Sequence, residues 1–351
     1  MIEVSPKRYE LAVLERGRLI GHRSSRPTRS AEAADWTQVL SALAADLRVW
    51  AGELGVEGER ATVVYPGPDT AATLAECAAR AGQARARLAA RMALADTVSF
   101  PLAENPHGEF CLHRDTSGEG EPSLRTLALA DTDSTLRALS EAVIEAGLVP
   151  EQFVPAPGAA FVAAVREVGR IARAAGPGVV LWVGEQSSGI AGGVGDRVCF
   201  ARLVPVGTET LVEALAGPLP MEQAGGGSEL ERCAARELLF ASGIPTGGHW
   251  RDGATGLDAR AGLPLLQPVL QRIVVETKQS IRFGLDPDSR SRVVVGVRGP
   301  GSRIGGLEAT ISDGVGVACH PADPDGSPEA CGVRGDLLTA LSLGSELPTL
   351  M

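Results

Sequence analysis

The sequence predicts an α/β fold made of two related lobes, with a small α/β subdomain inserted after the first lobe. A three-strand meander followed by a helix is indicated at residues 2–54 and again at residues 179–216. A block of different character, residues 73–152, lies between the two occurrences. At 351 residues, the chain is long enough for two or three domains with cores of their own.

The first lobe begins with alternating apolar and polar residues over residues 2–20, which indicate strands joined by tight turns. Residues 31–54 carry apolar side chains at helical spacing, and Gly55 ends this predicted helix. Residues 60–65 form a further predicted strand. We assign residues 1–72 to the core of this lobe, completed by later segments of the chain.

The inserted subdomain is predicted to span residues 73–152. Its composition changes from Ala- and Arg-rich to Gly- and Glu-rich and back to an amphipathic pattern. The predicted elements are a helix at 74–95, strands at 97–100 and 109–112, a turn at 116–123, a strand at 124–129, a helix at 134–146 and a strand at 152–155.

The second lobe is predicted to span residues 177–336. Residues 153–176, with a helix from 159 to 175, and a closing helix in 337–351 are predicted to complete the first lobe. The other predicted elements are strands at 179–183, 190–194 and 198–204, helices from 208, at 229–242 and at 266–284, a strand at 292–297, a short helix at 307–312 and a strand at 316–319.

The charge balance excludes one class of partner. The formal net charge is −10, whereas binding to nucleic acid needs a basic face. Lys7 and Lys278 are the only lysines among 33 basic residues. Four arginines, at 80, 85, 87 and 91, are interpreted as the solvated face of a helix, or as a site for an acidic partner or anionic lipid.

The expected cell compartment and the absence of a metal site are predicted from three features that we do not find: a membrane-spanning run, a signal peptide and paired cysteines. We find no apolar run long enough to span a bilayer and no signal peptide, so we expect a cytoplasmic protein without a membrane span. The six cysteines show no CxxC spacing. We therefore predict free thiols and no metal site, either around residues 107–113 or around residues 319–331.

Two duplicated lobes each offer one β-turn to a ligand in the cleft between them, which suits a nucleotide clamp. Five segments, at residues 141–150, 153–161, 200–207, 276–283 and 296–301, then occur in a recognisable order and spacing. In that order they resemble the PilM-like type IV pilus assembly proteins of the actin-like ATPase superfamily, related to FtsA and the cytoplasmic domain of GspL. The resemblance implies an actin-like (ribonuclease H-like) duplicated two-lobe fold.

The resemblance also implies two phosphate turns with an acidic residue in each, and an adenosine loop. Here Glu3 stands at the acidic position of the first turn and Trp182 at that of the second. The helix expected to grip adenosine, at residues 235–239, lacks both polar residues of the motif. The candidate residues of a vestigial nucleotide cleft are Lys7, Gly184, Ser187, Ser188, Gly299 and Gly301.

Alternative interpretations of these residues stay open on the sequence alone. Lys7 contacts phosphate or is a solvated turn lysine. Gly184, Ser187 and Ser188 bind phosphate or are ordinary turn residues. Trp182 fills a disused nucleotide pocket or stacks on a ligand. We assign no catalytic residue, no metal ligand and no bound cofactor, with Mg-ATP as the alternative.

The resemblance implies a scaffold for assembly of a type IV pilus or a type II secretion-like system. Such a protein binds the short cytoplasmic tail of a single-span membrane protein, and so sits at the inner face of the cell membrane. The degenerate motifs predict that it does so without ATP hydrolysis. The alternatives are an active Mg-ATP-dependent ATPase or small-molecule kinase, with Glu3 holding magnesium and Lys7 a phosphate, and a polymerising filament.

Overall fold

The chain alternates strands and helices in a computed structural model that describes residues 1–5, 8–15, 18–25, 36–65, 70–115, 123–195, 197–216, 232–245, 259–319 and 350. The strands in these residues are β1 (Ile2–Ser5), β2 (Arg8–Glu15), β3 (Arg18–Ser25), β4 (Arg60–Tyr65), β5 (Ala71–Ala78), β6 (His107–Asp115), β7 (Ser123–Ala130), β8 (Val149–Pro155), β9 (Gly178–Val183), β10 (Ser188–Val194), β11 (Arg197–Val204), β12 (Val294–Arg298) and β13 (Ala318–Cys319).

The helices of the same residues connect and cover these strands. They are α1 (Trp36–Leu54), α2 (Gly82–Ala95), α3 (Asp133–Glu145), α4 (Ala156–Ala175), α5 (Thr208–Leu215), α6 (Arg232–Ser242), α7 (Ala259–Gly284), α8 (Pro287–Arg290) and α9 (Leu307–Val315). The chain divides into two compact units, unit 1 (Met1–Val162 with Pro324–Met351) and unit 2 (Ala163–Asp323).

Both units contain a five-stranded sheet with the same topology. The strand order is β3-β2-β1-β4-β8 in unit 1 and β11-β10-β9-β12-β13 in unit 2. In each sheet the first three strands along the chain form an antiparallel meander, and the last two add in parallel to its first strand. The predicted duplication of an α/β lobe is therefore confirmed.

A third sheet, of three strands in the order β5-β7-β6, belongs to unit 1. Helix α2 packs against it through Ala86, Ala90 and Leu94, which are buried. Helix α3 instead packs against α1, and the Arg48 guanidinium donates from Nε to the carbonyl of Glu145 at 3.1 Å. The predicted boundaries at residues 72, 152 and 336 remain predictions.

The predicted helix at residues 74–95 is wrong in its first half. Strand β5 occupies the segment up to Ala78 and pairs along its whole length with β7. The composition favours a helix, but pairing with a neighbouring strand overrides local propensity. Gly82, with φ of +77°, separates the strand from α2, and few other residues adopt that conformation readily.

The predicted strand at residues 97–100 is also wrong, because this segment forms the turn that ends α2. The amides of Thr97 and Val98 both donate to the carbonyl of Leu94, at 2.9 and 3.1 Å. The next strand, β6, begins at His107. The order of elements after β4 is therefore strand, helix, strand, strand, helix, strand.

The other predicted elements within the described residues are confirmed, with shifted ends. Helix α7 begins seven residues before the predicted start at 266 and includes Pro264 and Pro268. Of the predicted closing helix, only Leu350 lies among the described residues. It pairs with Phe153 of β8, whose carbonyl accepts from the Leu350 amide at 2.7 Å.

The core of unit 2 fixes the strand ends that carry the candidate site. Every residue of β9 is buried, and β12 runs parallel beside it with Arg298 next to Trp182. Helices α5, α7 and α9 contribute buried apolar side chains to the same core. The carboxyl ends of β9 and β12 therefore lie side by side at one edge of the sheet.

Candidate functional site

The turn between β9 and β10 contains three predicted cleft residues, Gly184, Ser187 and Ser188. The Gly184 amide donates to the carbonyl of Ser187 at 3.0 Å, which closes the turn on itself. The buried Ser188 hydroxyl donates to the carbonyl of Val206 at 2.6 Å. Both donors are therefore engaged by backbone carbonyls of the chain itself.

The N-terminus of α5 lies directly against this turn. The amides of Thr208 and Glu209 donate to the carbonyls of Gly184 and Glu185, at 3.0 and 2.9 Å. A Cβ on Gly207 would lie 2.1 Å from the Glu185 carbonyl oxygen, so only glycine fits there. Helix N-termini bind anions through free amides, and the turn already uses the first two of α5.

Trp182 lies near the end of β9, at the position where the family motif has an acidic residue. Its side chain is almost fully buried and lies against Gly299, where an added Cβ would be 2.6 Å from the indole Nε1. Gly299 has φ of +79°, a conformation that residues with a Cβ adopt only at a cost. An indole offers one N–H donor and no oxygen, so it cannot ligate Mg²⁺.

Gly301, the other predicted adenosine-loop glycine, packs against Val183, which follows Trp182 in β9. A Cβ there would lie 2.4 Å from Cγ1 of Val183 and 3.3 Å from Cγ2 of Thr208. The structure thus brings the adenosine-loop glycines and the phosphate turn together around the end of β9. The nucleotide role of these residues remains a prediction, and Lys7 lies outside the described residues.

An ion cluster ties the phosphate turn to two helices, and the sequence reasoning missed it. The guanidinium of Arg236 on α6 contacts the carboxylate of Glu209 on α5 and lies 3.8 Å from that of Glu185 in the turn. Both carboxylates are almost fully buried. Arg232 contacts Glu213 one helical turn further along the same two helices. The matched four-residue spacing of the two acids and the two arginines is the signal that could have predicted this cluster.

Arg298, the last residue of β12, is held by contacts within unit 2. Its Nε donates to Oε1 of Glu167 on α4 at 3.2 Å, and Nη1 donates to the carbonyl of Val297. Arg170 donates to the same Glu167 oxygen at 3.2 Å. Arg298 therefore fastens the end of β12 to α4.

The acidic residue of the predicted first turn, Glu3, is buried inside the sheet of unit 1. It lies in β1 directly opposite Glu10 of β2, which is equally buried. Oε2 of Glu10 lies 3.1 Å from Nε2 of His22 on β3. Two carboxylates opposite one another are unfavourable, so the histidine contact offsets part of that repulsion.

The described residues of unit 2 do not fit Mg-ATP in the way that the family motif requires. Trp182 supplies no metal ligand, and the Gly184 amide of the turn and the first two amides of α5 donate within the protein. Beside the turn, the guanidinium of Arg236 faces the buried carboxylates of Glu185 and Glu209, so these charged groups contact one another within the protein.

The described residues contain no group of three or more His, Cys, Asp or Glu side chains that could hold a metal ion. In the first predicted cluster, Nδ1 of His107 is 3.0 Å from the carbonyl of Asn105. The side chains of Cys111 and His113, and most of the cluster after Cys319, lie outside the described part of the chain. None of the described helices is long and apolar enough to cross a membrane.

Comparison with known proteins identifies the fold. No protein family model and no curated protein matches the chain. The structure of the PilM-PilN type IV pilus biogenesis complex matches 98% of this chain and 97% of its own, with 19% identity and a TM-score of 0.65. A weaker match is the ethanolamine utilization protein EutJ of Carboxydothermus hydrogenoformans, with 15% identity over 97% of this chain and 86% of that one and a TM-score of 0.47. Another is the cytoplasmic domain of EpsL, an inner membrane component of the type II secretion system of Vibrio cholerae, with 11% identity over 65% of this chain and 78% of that one and a TM-score of 0.34.

The similarity to the PilM-PilN structure extends over nearly the whole of both chains. It confirms the predicted α/β, actin-like duplicated fold and the predicted resemblance to PilM at the level of the fold. Below 25% identity, a shared fold does not by itself transfer an activity.

Proposed function

We propose that this chain is a scaffold of a type IV pilus or type II secretion-like machine that works without ATP hydrolysis. It is held at the inner face of the cell membrane by the short cytoplasmic tail of a single-span membrane protein. The observation that carries the proposal is the contact of Trp182 with Gly299, at the position where a metal-binding acidic residue is expected. This replacement keeps the fold and removes a group on which nucleotide chemistry depends.

Phosphoryl transfer in this fold depends on positioning and on charge stabilisation by metal ions and amide donors. Trp182 cannot replace an acidic metal ligand, and Glu3 is buried between strands rather than held in a turn. The alternative of an active ATPase or kinase requires Glu3 to reach a metal. Its buried position opposite Glu10 therefore favours the scaffold.

The proposal of a protein partner is supported by the shared fold. The matched structure is that of a complex between PilM and PilN, so the same fold serves there as one member of a protein assembly. A scaffold is selected for its surfaces and its stability. The internal ion cluster of Arg236 with Glu185 and Glu209 fits this role.

The experiment is a pull-down from detergent-solubilised native membranes with the purified full chain as bait, followed by mass spectrometry. We expect enrichment of a membrane protein with one span and a short cytoplasmic N-terminal tail. A synthetic peptide of that tail should release it from the bait, whereas a scrambled peptide should not. A pull-down that recovers no membrane protein, or one in which capture requires Mg-ATP, would contradict the proposal.

A further inference from the structure

Helix α2 has two contrasting faces. Ala86, Ala90 and Leu94 are buried against the three-stranded sheet of unit 1. On the opposite side, Leu88 and Met92 are 56% and 64% exposed. This apolar pair is spaced four residues apart, so it forms one stripe along the solvent side of the helix.

The surroundings of this stripe are strongly basic. Residues 79–95 contain four arginines and no acidic residue, in a chain whose net charge is −10. Arg85 lies one turn before Leu88 on the same side, and Arg87 and Arg91 flank the stripe. Arg91 donates from Nε to Oε1 of Glu109 at 2.7 Å. Within the described part of the chain, no hydrogen bond or ion pair engages the exposed guanidinium groups of Arg85 and Arg87.

We propose that α2 lies on an anionic bilayer surface, with Leu88 and Met92 in the headgroup region and Arg85 and Arg87 on lipid phosphates. Charge complementarity requires an anionic occupant, because the local surplus of arginine opposes the charge of the whole chain. The exposed apolar stripe selects a bilayer over an acidic peptide, since a peptide could neutralise the arginines without covering Leu88 and Met92. Helices with apolar residues between basic ones bind membranes in this way.

This contact is made with lipid itself and does not depend on the partner proposed above. The test is sedimentation of the purified full chain with vesicles that contain phosphatidylglycerol, compared with pure phosphatidylcholine vesicles. Binding should be confined to the anionic vesicles and should weaken as salt is added. Arg85→Gln/Arg87→Gln should weaken it about twenty-five-fold, because each basic residue at such a surface contributes about fivefold.

The decisive variant is Leu88→Ser/Met92→Ser, which leaves every arginine in place. We expect it to weaken vesicle binding about tenfold or more, since the two side chains lose their contact with the headgroup region. The matched control is Arg272→Gln/Val275→Ser on α7, an exposed pair with the spacing of Arg85 and Leu88, and it should bind as the unaltered chain does. All variants should unfold at the same denaturant concentration, because the altered side chains are exposed.

Three results would overturn the proposal. The first is an absence of sedimentation with anionic vesicles at low salt. The second is equal loss in the α7 control, which would mean that the attraction is not specific to α2. The third is unchanged vesicle binding by Leu88→Ser/Met92→Ser together with loss of vesicle binding when polyglutamate is added to compete for the arginines. That result would identify an acidic peptide as the occupant instead.

Discussion

Replacement of Arg236 by methionine tests the ion cluster that ties the phosphate turn to α5 and α6. The substitution keeps most of the side-chain volume and removes the guanidinium that contacts the buried carboxylates of Glu185 and Glu209. Their carboxylates are 5% and 3% exposed, and the arginine side chain is 25% exposed. Removing one partner of a buried ion pair costs about 3–5 kcal/mol, and some water access at Arg236 places the expected loss near the lower limit, about 3 kcal/mol.

The assay is guanidinium unfolding followed by circular dichroism, with hydrogen exchange of unit 2 measured alongside. With a denaturant slope of about 4 kcal/mol/M, the midpoint should fall by roughly 0.5–1 M. Exchange should quicken at the amides of Thr208 and Glu209, because their acceptors lie in the turn. Exchange in unit 1 should stay as it is.

The matched control is Arg137→Met. Arg137 pairs with Asp133 on α3, where both side chains are more than half exposed, so the loss should be below about 1 kcal/mol. Adding Glu185→Gln and Glu209→Gln to Arg236→Met should restore most of the stability, because no buried charge is then left uncompensated. A loss for Arg236→Met equal to that of Arg137→Met, or no recovery in the triple variant, would show that the buried carboxylates do not depend on Arg236.

Two further predictions concern the loop and the buried tyrosine. Gly299→Ala should lower the free energy of unfolding by about 2–4 kcal/mol, because the residue has a positive φ and its new Cβ would lie 2.6 Å from Trp182 Nε1. Adding Trp182→Leu should relieve part of this loss, because the indole is then absent. Equal losses with and without Trp182 would show that the contact is unimportant. Burial, and next the charge of Asp131, raise the pKa of Tyr65 well above its usual value. The folded chain therefore keeps that proton when the unfolded chain loses it, so stability should fall as pH rises above about 10. Tyr65→Phe should flatten this fall in unfolding titrations across that range, and an unchanged slope would count against it.

The sequence predicted the architecture well where the signal is local. Alternating residues and tight turns mark both meanders, and the equal strand order of the two sheets confirms the duplication. The failure at β5 has a physical cause: its alanines and leucine favour a helix in isolation, and only pairing with β7 makes a strand.

Parts of the candidate site could not be predicted because they depend on distant pairs. The contact between Arg236 and Glu209 spans 27 residues, and that between Arg298 and Glu167 spans 131. From the sequence, Trp182 could be recognised as a substitution at an acidic position. Its contact with Gly299 emerges only when β9 and β12 are placed side by side.

Isothermal titration of the full chain with Mg-ATP, combined with a phosphate-release assay, measures whether this fold still binds and hydrolyses a nucleotide. We predict no saturable heat and no release of phosphate, since Trp182 occupies the acidic position and the amides of Gly184, Thr208 and Glu209 donate within the protein. Saturable binding at micromolar affinity with turnover of ATP would instead mean that the fold has kept a working nucleotide site.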